Sequence, residues 1–254
     1  MKIYLASIEE KLSHEGIIER IKTDTEGISI LGSFFRITRR DVKKYSSLLH
    51  YFKDFMLDSG AFSFMSNCSV KQGWEEYIDR YASFINENHI EKFFELDIDS
   101  LVGYEKVKEY RSLLERKVNH QCIPVWHRTR GAEEFFRLCE EYSYISIGGI
   151  AIKYVRSSEY KYFSYLIKEA HKRNCKIHAL GFTNLAELKN YHFDSVDSSS
   201  WSSGGRYGTT FRFKNGELVS KKREADKRMS DWVGLDEFNF GEWVKFQKYA
   251  EVHL

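Results

Sequence analysis

The chain has 254 residues, 42% of them hydrophobic and 16% aromatic, with a formal net charge of +2. That is enough apolar material for one large domain, and no run of about 18 apolar residues is present to cross a bilayer. Cys68, Cys122, Cys139 and Cys175 form no CxxC or CxC pair, so a Cys-rich zinc site and a disulfide framework have no support, and a reducing, cytoplasmic setting is expected.

The first residues, Met1-Lys2-Ile3-Tyr4-Leu5-Ala6, meet Glu9-Glu10-Lys11 too soon for a signal peptide and read as a strand. Apolar, β-branched or aromatic runs predict strands over 2–7, 52–58, 92–98, 122–127, 144–150, 176–181 and 193–197. Between them lie amphipathic stretches. Over 70–86, Trp74, Tyr77, Ile78, Tyr81, Phe84 and Ile85 recur at helical spacing behind a capping box of Ser69 and Gln72. Helices are also expected over 103–117, 131–142 and 158–173. Their aromatic stripes are core packing. After Gly208 the pattern changes. Residues 210–219 read as a hairpin turning at Asn215-Gly216, followed by a basic helix and a C-terminal amphipathic helix with Phe240, Trp243, Val244, Phe246 and Tyr249.

Strand and helix alternate in units of about 25–30 residues, which means parallel strands. An open doubly wound sheet and a closed α/β barrel both fit. Polar residues spread over many strand ends favour the (β/α)8 TIM-type barrel, whose active site draws on several strands at one face. No Pro- or Gly-rich linker divides the chain, so residues 1–254 are expected to be one domain, with about 206–254 a basic extension.

Two strand endings carry the chemistry. Phe55-Met56-Leu57 leads into Asp58-Ser59-Gly60-Ala61-Phe62, and Val196 leads into Asp197-Ser198-Ser199-Ser200-Trp201. An Asp ending a buried strand before a Gly/Ser turn is where such folds keep catalytic carboxylates. Asp97 or Asp99, His127, Gly148-Gly149 and Gly181 stand at other strand ends. Paired carboxylates suit glycosidic chemistry, and a Gly pair lets a flat ligand approach the backbone. From Arg206 to Arg228 eight Lys/Arg stand against three Asp/Glu, a local basic face suited to phosphates. A barrel glycoside hydrolase shares the carboxylates but needs no such face.

These endings resemble, in order, the motifs of the tRNA-guanine transglycosylases and their DNA-acting relatives. Asp58-Ser59-Gly60-Ala61-Phe62 is similar to the family's Asp-Ser-Gly-Gly-(Phe/Tyr), and Leu96-Asp97-Ile98-Asp99 to the strand whose Asp reads the guanine edge. Gly148-Gly149-Ile150-Ala151 resembles Gly-Gly-Leu-Ala, and His178-Ala179-Leu180-Gly181 the segment whose apolar residue covers the base. Phe193-Asp194-Ser195-Val196-Asp197 resembles the nucleophile strand. Extension without gaps brings Gly205-Arg206-Tyr207-Gly208 onto Gly-Arg-Asn-Gly, which selects Asp197 over Asp194.

The resemblance implies a nucleophile at Asp197 and a general acid/base at Asp58. It implies a base pocket of Ser59, Phe62, Asp97, Asp99, His127, Gly148, Gly149, Leu180 and Gly181. Phosphates would meet Arg206, Lys214, Lys221, Lys222 and Arg223. Guanine would leave a polynucleotide and a free 7-deazaguanine, such as 7-cyano-7-deazaguanine, would replace it through a covalent Asp intermediate. No cofactor and no metal is required. Asp194 is expected as a partner of Asp197, and Trp201 as a stacking platform or plain core.

The chain also departs from the family. No cysteine follows Cys175, where the tRNA enzymes carry a zinc subdomain. Val125-Trp126-His127-Arg128 replaces Gln-Gly-Gly, and Ser199-Ser200-Trp201 replaces Pro-Thr-Arg. The short zinc-free form is most similar to the phage and bacterial enzymes that modify DNA. DNA is therefore the expected polymer. A compact tRNA enzyme, or a non-catalytic nucleic-acid-binding subunit, is the alternative.

Overall fold

In β1 (Lys2–Ala6) Ile3 and Leu5 point one way and Tyr4 and Ala6 the other, and all four are buried. This is the two-residue period of a strand covered on both faces, as parallel sheets wrapped by helices require. Ile3 and Leu5 join the larger apolar cluster, whereas Tyr4 and Ala6 join a smaller one with Leu31, Met56, Phe94, Ile123 and Val125. The computed structural model describes residues 1–60, 63, 73–150, 154–182, 184–222 and 231–254, excepting the burial of Gly205 and the side chain of Arg206.

The other parallel strands are β2 (Ile28–Ser33), β3 (Phe52–Asp58), β4 (Val125–Trp126), β5 (Tyr144–Ile147), β6 (Lys176–Ala179) and β7 (Ser195–Ser198). Their order in the sheet is β3-β2-β1-β7-β6-β5-β4. Residues 92–95 reach both edges of this sheet. Leu57 N–H donates to Lys92 O (2.9 Å) and Phe94 N–H to Leu57 O (2.9 Å). On the other side Ile123 N–H donates to Phe93 O (2.7 Å) and Glu95 N–H to Ile123 O (3.1 Å). The result is a mixed α/β, TIM-like architecture.

Helices α1 (Glu15–Thr23), α2 (Trp74–Glu87), α3 (Tyr104–Val118), α4 (Gly131–Glu141) and α5 (Phe163–His171) lie between the strands in sequence. Strands β8 (Thr209–Lys214) and β9 (Glu217–Lys222) pair antiparallel, with Asn215 and Gly216 at φ 53° and 80° in the turn. Helix α6 (Trp232–His253) buries Phe240, Trp243, Val244 and Phe246. From it Gln247 donates to Ile3 O (2.5 Å) and Ser29 O (2.8 Å), which fastens the helix to β1 and β2. No helix among the described residues is long and apolar enough to cross a membrane.

The sequence pattern and the strands differ in places. Strand β2 is absent from the predicted set. Its Ser29 and Gly32 interrupt the apolar run, which continues into the short helix Phe34–Ile37 without a turn signal. The run 92–98 pairs only at Phe93 and Phe94, and Asp99 opens the short helix Asp99–Val102. Strands β5 and β6 stop at Ile147 and Ala179 because the chain turns at Gly149 (φ 80°) and Gly181 (φ 71°). The predicted helix 158–173 begins as a 3-10 turn, Ser157–Tyr162. The capping pair Ser69 and Gln72 and the basic segment 223–230 lie outside the described residues.

Candidate active site

The inner cluster is apolar at mid-height and polar at its ends. At the N-terminal end Asp54 accepts from Lys2 Nζ (2.7 Å), Tyr4 OH (2.8 Å) and Lys92 Nζ (2.5 Å). Such a charged plug reads as stability, since barrels place chemistry at the opposite, C-terminal face. At that face stand Asp58, the last residue of β3, and Asp197, the third of β7.

Asp58 ends its strand in a tight turn. Its Oδ2 accepts the Gly60 N–H at 2.8 Å. Gly60 has φ 83°, and a Cβ there would lie 2.2 Å from Phe35 Cβ, so only glycine fits. Burial pushes the Asp58 carboxyl up to about 7. The nearby charges of Asp197 and Asp97 push the same way, while the Gly60 N–H and the Ser33 side chain favour the ionised form.

Asp197 is buried. Its Oδ1 accepts the Gly181 N–H at 2.6 Å and lies 3.2 Å from His178 Nε2. Gly181, expected in the base pocket, thus spends its amide on Asp197. His178 is a residue that sequence reasoning left without a role. Its position two residues before Leu180, on the inward face of β6, is the signal that could have found it. Leu180 packs on the inner apolar cluster.

Asp97 lies in an ion network. Both its oxygens lie within 2.8 Å of His127 Nε2, and Oδ1 is 3.1 Å from Arg130 Nη2. Arg130 also reaches Asp99 Oδ2 (3.2 Å) and Glu95 Oε1 (3.0 Å), and stacks over Tyr104 at 4.1 Å. Glu95, fully buried, takes Arg111 Nε (2.6 Å) and the Val125 N–H (2.8 Å). Burial opposes charge on His127, but the hydrogen bond and charge of Asp97 outweigh it and raise His127 above its ordinary value. Asp97, Asp99 and His127 offer three possible metal-ligand atoms within 4.8 Å of one another, and Arg130 already supplies a cation among them.

A cavity of about 250 Å³ opens beside this network, lined by His127, Arg128, Thr129, Gly148, Gly149, Tyr154 and Val155. The reason for glycine at Gly148 is internal. A Cβ there would meet His127 Cε1 at 2.6 Å and Val125 Cγ1 at 2.7 Å, so the imidazole occupies the space over the backbone expected for a ligand.

The remaining expected residues divide. Ser59 is buried, with no partner for its Oγ among the described residues, and its carbonyl accepts from Tyr77 OH (2.5 Å). Lys214, Lys221 and Lys222 are exposed on β8 and β9. Phe62, Arg223 and the Arg206 side chain lie outside the described residues. One expectation, Asp194 as a partner of Asp197, is corrected, and one open alternative, for Trp201, is decided. Asp194 sits beyond the other end of β7, where Oδ2 binds His171 Nε2 (2.9 Å) and the Ile177 N–H (2.8 Å), so it is no partner of Asp197. Trp201 is fully buried, donates to Ala6 O (2.8 Å) and packs on Phe240, so it is core and not a stacking platform.

No family model matches the sequence, and no curated protein matches it significantly. The fold is similar to solved structures. A protein from Coccidioides immitis described as a fructose-1,6-biphosphate aldolase superposes with TM-score 0.53 at 12% identity, covering 99% of this chain and 87% of that one. The carboxyl transferase domain of Rhizobium etli pyruvate carboxylase gives TM-score 0.50 at 11% identity, over 98% of this chain. The present chain spans 48% of that second structure. At such identities the likeness is one of fold.

Proposed function

We propose that this chain is an enzyme, a base-exchange transglycosylase that replaces guanine in DNA with a free 7-deazaguanine. The observation that carries the reading is that Asp58 and Asp197 stand at the C-terminal ends of two parallel strands in unlike environments. One carboxyl is pushed toward neutrality by burial. The other is oriented by two N–H donors on a single oxygen. Glycosidic chemistry needs that division of labour between a proton carrier and a nucleophile. The ordered strand-end motifs narrow it to the transglycosylases. Counting residues 92–95 as the remaining strand makes the architecture a full (β/α)8 barrel.

In the proposed reaction the target guanosine is flipped from the stack, at a cost of a few kcal/mol. Asp197 Oδ2 attacks C1′ and forms an ester. The C1′–N9 electron pair leaves with guanine, and Asp58 supplies the proton. A 7-deazaguanine enters, Asp58 takes its N9 proton, and the new base displaces Asp197. Two displacements retain configuration. Asp97 accepts from the guanine N1 and N2 hydrogens, a donor pair that adenine lacks. It must give up His127 to do so, which leaves the imidazole free to face the base. The exposed Lys214, Lys221 and Lys222 engage phosphates.

The test is incubation of the protein with DNA or tRNA and labelled guanine or 7-cyano-7-deazaguanine. Label entering DNA supports the reading. Label confined to tRNA reassigns the polymer, and label in neither removes the activity.

A further inference from the structure

A hydrogen-bonded chain runs from Asp197 into the interior of the fold. His178 is fully buried on β6, and its Nε2 lies 3.2 Å from Asp197 Oδ1. Its Nδ1 lies 2.5 Å from Ser195 Oγ, and Ser195 Oγ lies 2.5 Å from Tyr144 OH. The rings of Tyr4 and Phe94 flank the imidazole at 6.2 Å and 5.3 Å, so it has little room to turn. Three strands thus contribute one inward side chain each: Tyr144 from β5, His178 from β6 and Ser195 from β7.

Only one assignment of protons uses every donor. A carboxylate solely accepts, so Nε2 must carry a hydrogen to bond Asp197. With the proton on Nε2, Nδ1 accepts the Ser195 hydroxyl, and Ser195 accepts from Tyr144. Burial raises the Tyr144 hydroxyl above its ordinary value, so that group keeps its proton to give. The reverse polarity leaves the Tyr144 hydrogen without an acceptor among the described residues. A buried donor left unmade is costly.

We propose that His178 is a positioning residue, held by Ser195 and Tyr144 as the Nε2–H tautomer, which pins Oδ1 of Asp197 and leaves Oδ2 to form the covalent bond. Gly181 N–H is the second pin, on the same oxygen. Among the described residues none donates to Oδ2. When the ester forms through Oδ2, Oδ1 becomes its carbonyl oxygen and still accepts both hydrogens, so the clamp survives the step without rearrangement. The role in catalysis rests on the transglycosylase reading; the tautomer and the clamp do not.

The experiment therefore has two arms. In the first, histidine-selective 15N NMR of the substrate-free protein assigns the His178 ring nitrogens, with Ser195→Ala and Tyr144→Phe as controls that keep the core filled. A proton on Nε2 and none on Nδ1 at neutral pH, with the Nδ1 resonance moving in Ser195→Ala, is expected. An Nδ1–H tautomer or an Nδ1 blind to Ser195 overturns the proposal. In the second arm, His178→Phe should lower kcat for base exchange about 100-fold, the scale of a misplaced reactive group, with KM little changed. His178→Gln, whose amide can replace the Nε2–H donor, should recover most of that loss. Equal rates for Phe and parent overturn the positioning role. If no polymer is modified at all, the transglycosylase reading fails, while the NMR arm still decides the clamp.

Discussion

Ser33 faces Asp58 in the register of β2 and β3, and its side chain favours the ionised form of that carboxyl while its backbone favours that of Glu9. Glu9 is buried, with Oε2 lacking a partner among the described residues. Burial raises it to about 7, and the charge of Asp58 adds to this while Arg36 opposes it. Between its ordinary value and about 7 the folded chain holds a proton that the unfolded chain has released. Stability must then fall as pH rises through that window and level off above it. Glu9→Gln should flatten the fall, by about 1–3 kcal/mol between pH 5 and pH 8. Urea unfolding at the two pH values measures it, and parallel curves for parent and variant would count against the assignment.

Asp58→Asn and Asp197→Asn should separate the two halves of exchange. Asp197→Asn has no attacking carboxylate, so exchange should drop by several orders of magnitude with nucleic-acid binding retained. Asp58→Asn still permits a slow first attack, and a protein–nucleic acid adduct should persist in denaturing gels. With Asp58 raised to about 7, the parent rate should pass through a maximum near neutral pH, since the group must donate and then accept. An unchanged pH profile in Asp58→Asn would remove it from the proton path.

His127 reports on Asp97. Asp97 is what lifts the imidazole above its ordinary value against burial and the Arg130 charge. In Asp97→Asn that lift disappears, and His127 should titrate below the ordinary histidine value when followed by NMR. Guanine selection should suffer more than overall affinity. Gly148→Ala should act on the same pair from behind, because its Cβ would displace the imidazole from 2.6 Å away. A His127 titration untouched by either substitution would mean that the pair does not form in solution.

The sequence shows some of this plainly and hides the rest for physical reasons. Strand ends at Asp58 and Asp197 are legible because an apolar run stops at a carboxylate and a small-residue turn. The ion network at Asp97 is not, because Arg130, Glu95 and Arg111 come from separate segments and meet only once the helices pack. His178 is hidden differently. The two-residue spacing to Leu180 marks its face of the strand, but its role comes from Ser195 on the neighbouring strand. β2 escapes because Ser29 and Gly32 interrupt its apolar run and no turn signal marks its end, although all six residues are buried.

The basic hairpin gives the last prediction. Lys214, Lys221 and Lys222 are exposed, and the turn between their strands is tight, so the charges sit together on one two-stranded ribbon. Phosphate contacts position a polymer without reading it. Reversing charge at Lys221, Lys222 and Arg223 should therefore weaken DNA binding equally for all sequences. The slope of log affinity against log salt should become shallower by about one for each phosphate that is no longer neutralised. Guanine selection should survive in the DNA that still binds, because Asp97 lies in the separate network at the mouth of the fold. Filter binding across a salt series, run on DNA and tRNA together with exchange assays, measures all three quantities. A salt slope that does not change would place the docking face elsewhere. A weakening confined to particular sequences would mean that the hairpin reads bases after all.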